Sequence, residues 1–419
     1  KTSKMEFIKL FSKYSLLVSL IIAMASFHSQ ASELVLGEKY FLNSQLLKEQ
    51  RELQIYLPES YKKGQKNYPV IFVMDSQRYF LHAIAHQQSL RFQDKTPELI
   101  VVGIKTDDKK RRQWLSPKSE QFMSFLKVEL IPWIENKYRT SGERLYFGWE
   151  MAAGLVPDLI TKHPDLFQAL FMASPTHIDR ERVNNIKRHL LKSTSNHYIY
   201  ATLGEVETWS TASMQALEEV IISSPKSAIE WEYELMPNQD HYTTPLITID
   251  NGLLKYFDNY GPLRFYTLKE FEEFGGVKAL KKHYAARAKR FEVSPEIHDD
   301  TKHYLLNQTL KENNLRLFAK LVNSFEGFIA SYYTSDFWFE RFANAYIELG
   351  DFDNSHKILK LGLKKIPDSP KLYAALGSLY HKQSNLTLAK SSYEKALTLI
   401  SSDKDTHKQI LSIIEKLNM

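Results

Sequence analysis

The chain has 419 residues, 43% of them hydrophobic and 13% aromatic, enough to bury about two or three domain cores and to exclude wholesale disorder. Cysteine is absent, which excludes disulfides, thiol catalysis and cysteine-ligated zinc or iron–sulfur sites. Gly and Pro, 15 each, are too few for a collagen-like or low-complexity chain, and a formal charge of +6 is too small to point to nucleic acid.

The first element in chain order is a targeting segment. Lys9 and Lys13 precede the apolar run Leu16-Leu17-Val18-Ser19-Leu20-Ile21-Ile22-Ala23, and Ser29 and Ala31 stand where a signal peptidase requires small residues. The run is short of the roughly 20 residues that span a bilayer, so residues 1–31 are expected to be a cleaved secretory signal rather than an uncleaved anchor. Cleavage removes Lys1, Lys4, Lys9, Lys13 and Glu6 and lowers the formal charge from +6 to +3. No cysteine follows for a lipid anchor. A periplasmic or secreted protein without a membrane anchor is expected.

Residues 32–262 alternate strand and helix signals. Leu53-Gln54-Ile55-Tyr56-Leu57 alternates polar and apolar residues as a half-exposed strand does. Val70–Met74 and Leu99–Ile104 are continuous apolar runs, suited to central parallel strands covered on both faces. Leu145–Phe147, Ala169–Ala173 and Tyr198–Ala201 continue the series, with helical patterns such as Gln121–Lys137 between them. This order predicts an α/β domain with an open, mostly parallel sheet and helices on both faces.

Strand signals nearly vanish after residue 262. Residues 263–300 are charged and helical and are expected to link two domains. Residues 301–419 show self-similarity at an offset of 34: Tyr346 with Tyr380, Gly350 with Ser384, Phe352 with Leu386, Ser355 with Ala389, Leu359 with Tyr393, Gly362 with Ala396 and Leu363 with Leu397. That period, with small residues where two helices cross, resembles the tetratricopeptide repeat and predicts an all-α helical-repeat domain. A decayed repeat over about 303–334 would complete three helix pairs. Tyr373, Tyr380 and Tyr393 are read as packing residues. The resemblance implies a surface open to a protein or peptide partner.

Ligands of open parallel sheets bind beyond the carboxyl ends of the strands. At one such end Leu145-Tyr146-Phe147-Gly148-Trp149-Glu150-Met151-Ala152-Ala153-Gly154 turns sharply from strand to helix and resembles the nucleophile elbow of α/β-hydrolases. The surrounding blocks include Arg51-Glu52-Leu53, Tyr68-Pro69-Val70 to Met74-Asp75, Val102-Gly103-Ile104, Glu129 to Ile134, and Phe167 to Ala173-Ser174-Pro175. They resemble the esterase family that includes esterase D and the siderophore (enterobactin-type) esterases, over most of residues 40–260.

The resemblance implies an α/β-hydrolase fold, a small ester-like ligand, no cofactor and no metal. Where that family carries Gly-His-Ser-x-Gly-Gly, this chain reads Gly148-Trp149-Glu150-Met151-Ala152-Ala153, so Glu150 holds the nucleophile position. His241, after Pro237-Asn238-Gln239-Asp240, matches the catalytic histidine, and Glu205 or Glu207 the acid, with Glu207 slightly favoured. The oxyanion hole would use the Met151 amide and one at Ser76 or Gln77, although the family usually has glycine at Ser76.

A carboxylate on the elbow is expected to fold into the oxyanion hole or to pair with a protonated His241, and it attacks esters poorly because the product is an anhydride. The expectation is therefore an exported esterase homologue, degenerate at its nucleophile and acting as a ligand- or protein-binding module. The alternative is an active hydrolase of carboxylic esters, or one that uses Glu150 as a carboxylate nucleophile as some hydrolases use an elbow aspartate. Ser174 or Ser76 would be substitute hydroxyls. His82 and His86, four apart, have a zinc-compatible spacing but no adjacent carboxylate and read as an ordinary helix pair. The basic run Lys105 to Arg112 is interrupted by Asp107 and Asp108 and reads as a solvated loop, with contact to an anionic substrate group as the alternative.

Overall fold

The computed structural model describes residues 35–91, 94–106, 108–192, 196–224, 229–400 and 404–417. The expected signal segment, residues 1–31, lies outside the described residues, as does Asp107. No helix among the described residues is long and apolar enough to cross a membrane.

The α/β region runs β1 (Glu38–Ser44), β2 (Glu49–Tyr56), β3 (Tyr68–Met74), α1 (Ser76–Arg91), β4 (Ile100–Ile104), α2 (Asp108–Leu115) and α3 (Ser119–Phe125). A π turn over Leu126–Leu130 joins α3 to α4 (Ile131–Lys137), and β5 (Thr140–Trp149) follows. The rest is α5 (Val156–Lys162), β6 (Ala169–Ala173), α6 (Arg180–Leu190), β7 (His197–Gly204), α7 (Thr208–Ser223), β8 (Ile229–Met236) and α8 (Thr244–Tyr256). The strands form one eight-stranded sheet in the order β1-β2-β4-β3-β5-β6-β7-β8. β4, β3, β5, β6, β7 and β8 pair in parallel, whereas β2 pairs antiparallel with β4.

Every residue of β3, β4 and β6 is buried, because helices cover both faces of the sheet centre. The two faces carry separate cores, one around Phe72, Phe122 and Tyr146 and the other around Phe147, Phe171 and Phe257. This is an α/β-hydrolase architecture. β1 and β8 are outside the strands read from sequence. β8 had a readable signal, since Ile229, Trp231, Tyr233 and Leu235 alternate with Glu230, Glu232 and Glu234, the pattern of an edge strand half open to water.

The helical region contains α9 (Leu268–Phe274), α10 (Gly276–Phe291), α11 (Asp299–Lys311), α12 (Leu315–Ser324), α13 (Phe328–Tyr332) and α14 (Asp336–Leu349). It ends with α15 (Phe352–Lys365), α16 (Pro370–Lys382), α17 (Leu386–Leu399) and α18 (Lys404–Leu417). Three helix pairs share one local device. A left-handed residue (Asn313, Gly350, Ser384) precedes an N-cap (Asn314, Asp351, Asn385) whose side chain accepts the amide of Leu317, Asn354 or Leu388. Small residues let the helices approach: a Cβ on Gly377 would stand 2.8 Å from the Tyr393 ring.

The segment 263–300 joins both regions. Leu280 and Tyr284 of α10 enter the helical core, while Phe291 enters a hydrolase-side core. Arg290 clamps Glu143 at 2.5 Å and stacks over Tyr256.

Candidate active site

The elbow is built by backbone constraints. Glu150 adopts φ 56°, and its amide donates to the Ala173 carbonyl at 3.0 Å, which pins β5 to β6 where the chain reverses. Gly148 and Gly154 are required there. A Cβ on the first would lie 2.6 Å from the Ala152 carbonyl carbon, and one on the second 1.9 Å from the Thr176 oxygen. Positive φ in a non-glycine residue costs about 1–3 kcal/mol and persists only where the surroundings over-determine it. A second strained residue, Asp75 at φ 52°, joins β3 to α1.

The Glu150 carboxylate meets neither of the partners expected from sequence. Its Oε2 accepts from Nη1 of Arg111. The same guanidinium grips Asp75 in bidentate fashion, Nε to Oδ1 at 2.7 Å and Nη2 to Oδ2 at 2.8 Å, and donates to the Trp149 carbonyl at 3.0 Å. Four of the five N–H groups of Arg111 are thereby used. Asp75 is fully buried and also accepts from the Thr106 hydroxyl. Burial disfavours the charge on Arg111, but the Asp75 and Glu150 carboxylates outweigh it and hold the guanidinium above its ordinary value.

The solvated-loop reading of Lys105 to Arg112 is corrected by this geometry. Residues 108–115 are helical, and Arg111 turns inward because the buried Asp75 carboxylate requires a cation. Lys105 is drawn to Glu52 at 2.6 Å and Lys110 to Glu49 at 2.8 Å.

On the other side of the site, His241 Nδ1 lies 2.6 Å from Oε1 of Glu207. Glu207 is fully buried at the start of α7, and its Oε2 accepts from the Ser174 hydroxyl at 2.5 Å and the Gly204 amide at 2.7 Å. Burial raises the Glu207 carboxyl, but the bonds from His241, Ser174 and Gly204 prevail and hold it below the usual carboxylate range. Glu205, two residues earlier, is exposed, and its amide donates to the Met236 carbonyl.

Ser174 is buried behind Glu207 and shares its hydroxyl with Thr244 at 2.5 Å, so it is a support of the acid rather than a hydroxyl at the mouth. Trp149 Nε1 donates to the His241 carbonyl at 2.7 Å and fixes the histidine loop against the elbow. Among the described residues no protein acceptor takes the amides of Met151, Ser76 or Gln77. The Ser76 hydroxyl is buried without a partner, whereas the Gln77 side chain is spent on Thr106.

A cleft of about 470 Å³ lined by Gln77, Thr106, Lys105 and Lys110 adjoins the Asp75 network. His82 and His86 meet edge to face with ring centres 4.1 Å apart and bond to the Leu246 carbonyl and the Asp250 carboxylate; no group of three side chains among the described residues is placed to hold a metal.

Residues 44–244 match the model of a family described as "Putative esterase", and residues 370–403 match a tetratricopeptide-repeat model. An IroE-like serine hydrolase from Shewanella oneidensis is similar in structure at 18% identity and a TM-score of 0.54, with 70% of this chain and 98% of that one covered. An uncharacterised protein from Capnocytophaga ochracea is similar at 19% identity and a TM-score of 0.55, over 91% of this chain and 99% of that one. At such identities the likeness is one of fold. No curated protein matches the chain by sequence.

Proposed function

From the premise that the chain carries an esterase-family α/β-hydrolase domain followed by tetratricopeptide repeats, we propose that it binds a small ester-like or acid ligand without hydrolysing it. One observation supports this reading above the others: the elbow side chain is a carboxylate held by Arg111. Ester hydrolysis at an elbow requires a group that yields a proton to histidine and forms an acyl-enzyme stable enough to be released by water. Attack by the Glu150 side chain on an ester would give an anhydride rather than an ester intermediate, and the Arg111 charge draws electron density from the oxygen that would attack. Losing the nucleophile of such a triad costs about 10⁶ in turnover, with about 10³–10⁴ over water left from the hole and binding.

In this reading His241 and Glu207 keep the general-base and acid positions, and the amides of Met151 and Ser76 or Gln77 cradle a ligand oxygen. The repeats serve a protein or peptide partner. The protein acts outside the cytoplasm after removal of residues 1–31; amino-terminal sequencing of exported material should begin at Ser32. Purified protein with short-chain p-nitrophenyl esters tests the main proposal. Turnover is expected to be equal in wild type and His241→Ala, and turnover that His241→Ala abolishes would overturn it.

A second reading is favoured by the intact His241–Glu207 pair. An ester formed between Glu150 and an alkyl carbon would need water activated by such a histidine. Hydrolysis of an epoxide or haloalkane in H₂¹⁸O, with label appearing on Glu150, would establish that reading instead.

A further inference from the structure

Charge is sorted between the helices of the repeat region. The second helices of three successive pairs, α10, α12 and α15, carry twelve Lys and Arg against one acid, Asp353. The first helices, α9, α11 and α14, carry four Lys and Arg against eight Asp and Glu. Over the whole chain the two signs nearly balance, at 55 and 49, so the sorting is local. The pairs stack in order: Tyr284 of α10 bonds to Thr301 of α11 at 2.7 Å, and Phe318 of α12 packs on Phe342 and Tyr346 of α14 with ring centres 5.5 and 5.3 Å apart. The second helices of such a stack line one outer face, which is therefore basic.

Helix stability does not account for these cations. Lys289 and Lys364 stand in last turns, where the helix dipole favours them. Arg287, Arg290 and Lys365 are turned to the Tyr260 carbonyl, Glu143 and the Tyr333 carbonyl. Lys278, Lys281, Lys282, Lys320, Lys357 and Lys360 have neither reason: they are exposed, precede the last turn and have no carboxylate partner among the described residues. Lys278 stands in the first turn of α10, where the dipole opposes it, and its spacing to Lys282 is the one that brings like charges together on a helix.

We propose that this face docks electrostatically on an anionic phospholipid surface. Lysines suit phosphates spread over a plane, because an ammonium is a hydrated point charge, whereas a single fixed phosphate or carboxylate is better met by the arginine fork. Nucleic acid is a poorer match: Tyr284, Phe291 and Phe318 of these helices are buried and Phe352 is half-buried, which leaves no exposed ring there, among the described residues, on which a base could stack. The face is separate from the hydrolase pocket and leaves the first helices to a peptide partner.

Sedimentation of the chain from Ser32 with lipid vesicles tests this, a start chosen so that the apolar run Leu16–Ala23 contributes nothing. Binding to equimolar phosphatidylglycerol and phosphatidylcholine is expected at low salt, with none to phosphatidylcholine alone. Release is expected in about 1 M NaCl, where the Debye length falls to about 3 Å. Each lysine near such a surface contributes about fivefold in partition, so the triple variant Lys278→Ala, Lys282→Ala, Lys360→Ala should bind about 100-fold more weakly. Alanine favours the helix, and unchanged circular dichroism would exclude misfolding as the cause. A control triple, Lys62→Ala, Lys127→Ala, Lys187→Ala, removes exposed lysines of the α/β region and should bind as wild type does. Equal binding to neutral vesicles, no binding to anionic ones, or equal loss in both triples would overturn the proposal. A single-stranded DNA oligonucleotide or polyglutamate bound more tightly than the anionic vesicles at the same salt would assign the face to that partner and overturn it as well.

Discussion

The two sides of the pocket are held by different physics. The His241 side is a chain of hydrogen bonds that ends in hydroxyls: imidazole to Glu207, Glu207 to Ser174, Ser174 to Thr244. It leaves Nε2 of His241 without a protein partner among the described residues, so it keeps a capacity to act on something else. The elbow side is a closed electrostatic cluster in which one guanidinium answers two carboxylates and a carbonyl. The contrast teaches that one side of a site can be ordered by a hydrogen-bond chain open at its end while the other is ordered by charge pairing.

The comparison breaks most readily at Arg111. Arg111→Met leaves the buried Asp75 unpaired, and breaking a pair of this kind costs about 3–5 kcal/mol. Urea unfolding should report that loss, whereas a loss below about 1 kcal/mol would make the cluster a surface ion pair in all but location.

Next in size is Glu150→Ser, which frees one N–H of Arg111 and supplies a hydroxyl within the elbow. Esterase turnover is expected to rise about 100-fold over wild type, a small part of the 10⁶ that a complete triad supplies. Silence of a folded variant would show that the two sides are no longer in register.

Ser174→Ala removes a hydroxyl bonded to a charged, buried acid and should cost about 1.5–3 kcal/mol. The dependence on pH sharpens the comparison further. Glu207 titrates below its unfolded value, so its contribution to stability is fully present above about pH 4.3 and is lost as pH falls through the lower, folded value. The stability difference between wild type and Glu207→Gln should therefore shrink on acidification below that point and stay level above it.

Smallest is Gly377→Ala in α16, far in sequence from the pocket. The added methyl must displace the Tyr393 ring and should cost about 1–3 kcal/mol, visible as increased amide exchange in α16 and α17 with the α/β region unaffected.

The sequence revealed the centre of the sheet more readily than its edges. Strands buried on both faces, such as Val70–Met74, are continuous apolar runs, whereas β1 mixes Phe41 with Glu38, Lys39 and Asn43 and carries little pattern. In the helical region a strict 34-residue offset exposed the last two helix pairs. The first pair has its cap at Asn314, 37 residues before Asp351, because the short helix α13 intervenes, and a fixed period blurs it.

At the site, Glu150 and His241 stood out because local motifs surround them. Glu205 and Glu207 could not be separated in a loop, since which of two nearby carboxylates enters the core depends on the Gly204 turn. Arg111 and Asp75 lie 36 residues apart, and no local spacing signals their pairing. The one available hint was a basic residue a few positions after the end of a strand.

We propose that the elbow carries no nucleophile toward acyl or phosphoryl centres. Intact-mass measurement after treatment with a fluorophosphonate tests it most directly, since such reagents phosphonylate a serine activated by histidine. The account predicts no adduct on the wild type and a single adduct at residue 150 in Glu150→Ser. A stoichiometric adduct on the wild type, lost in His241→Ala, would contradict it.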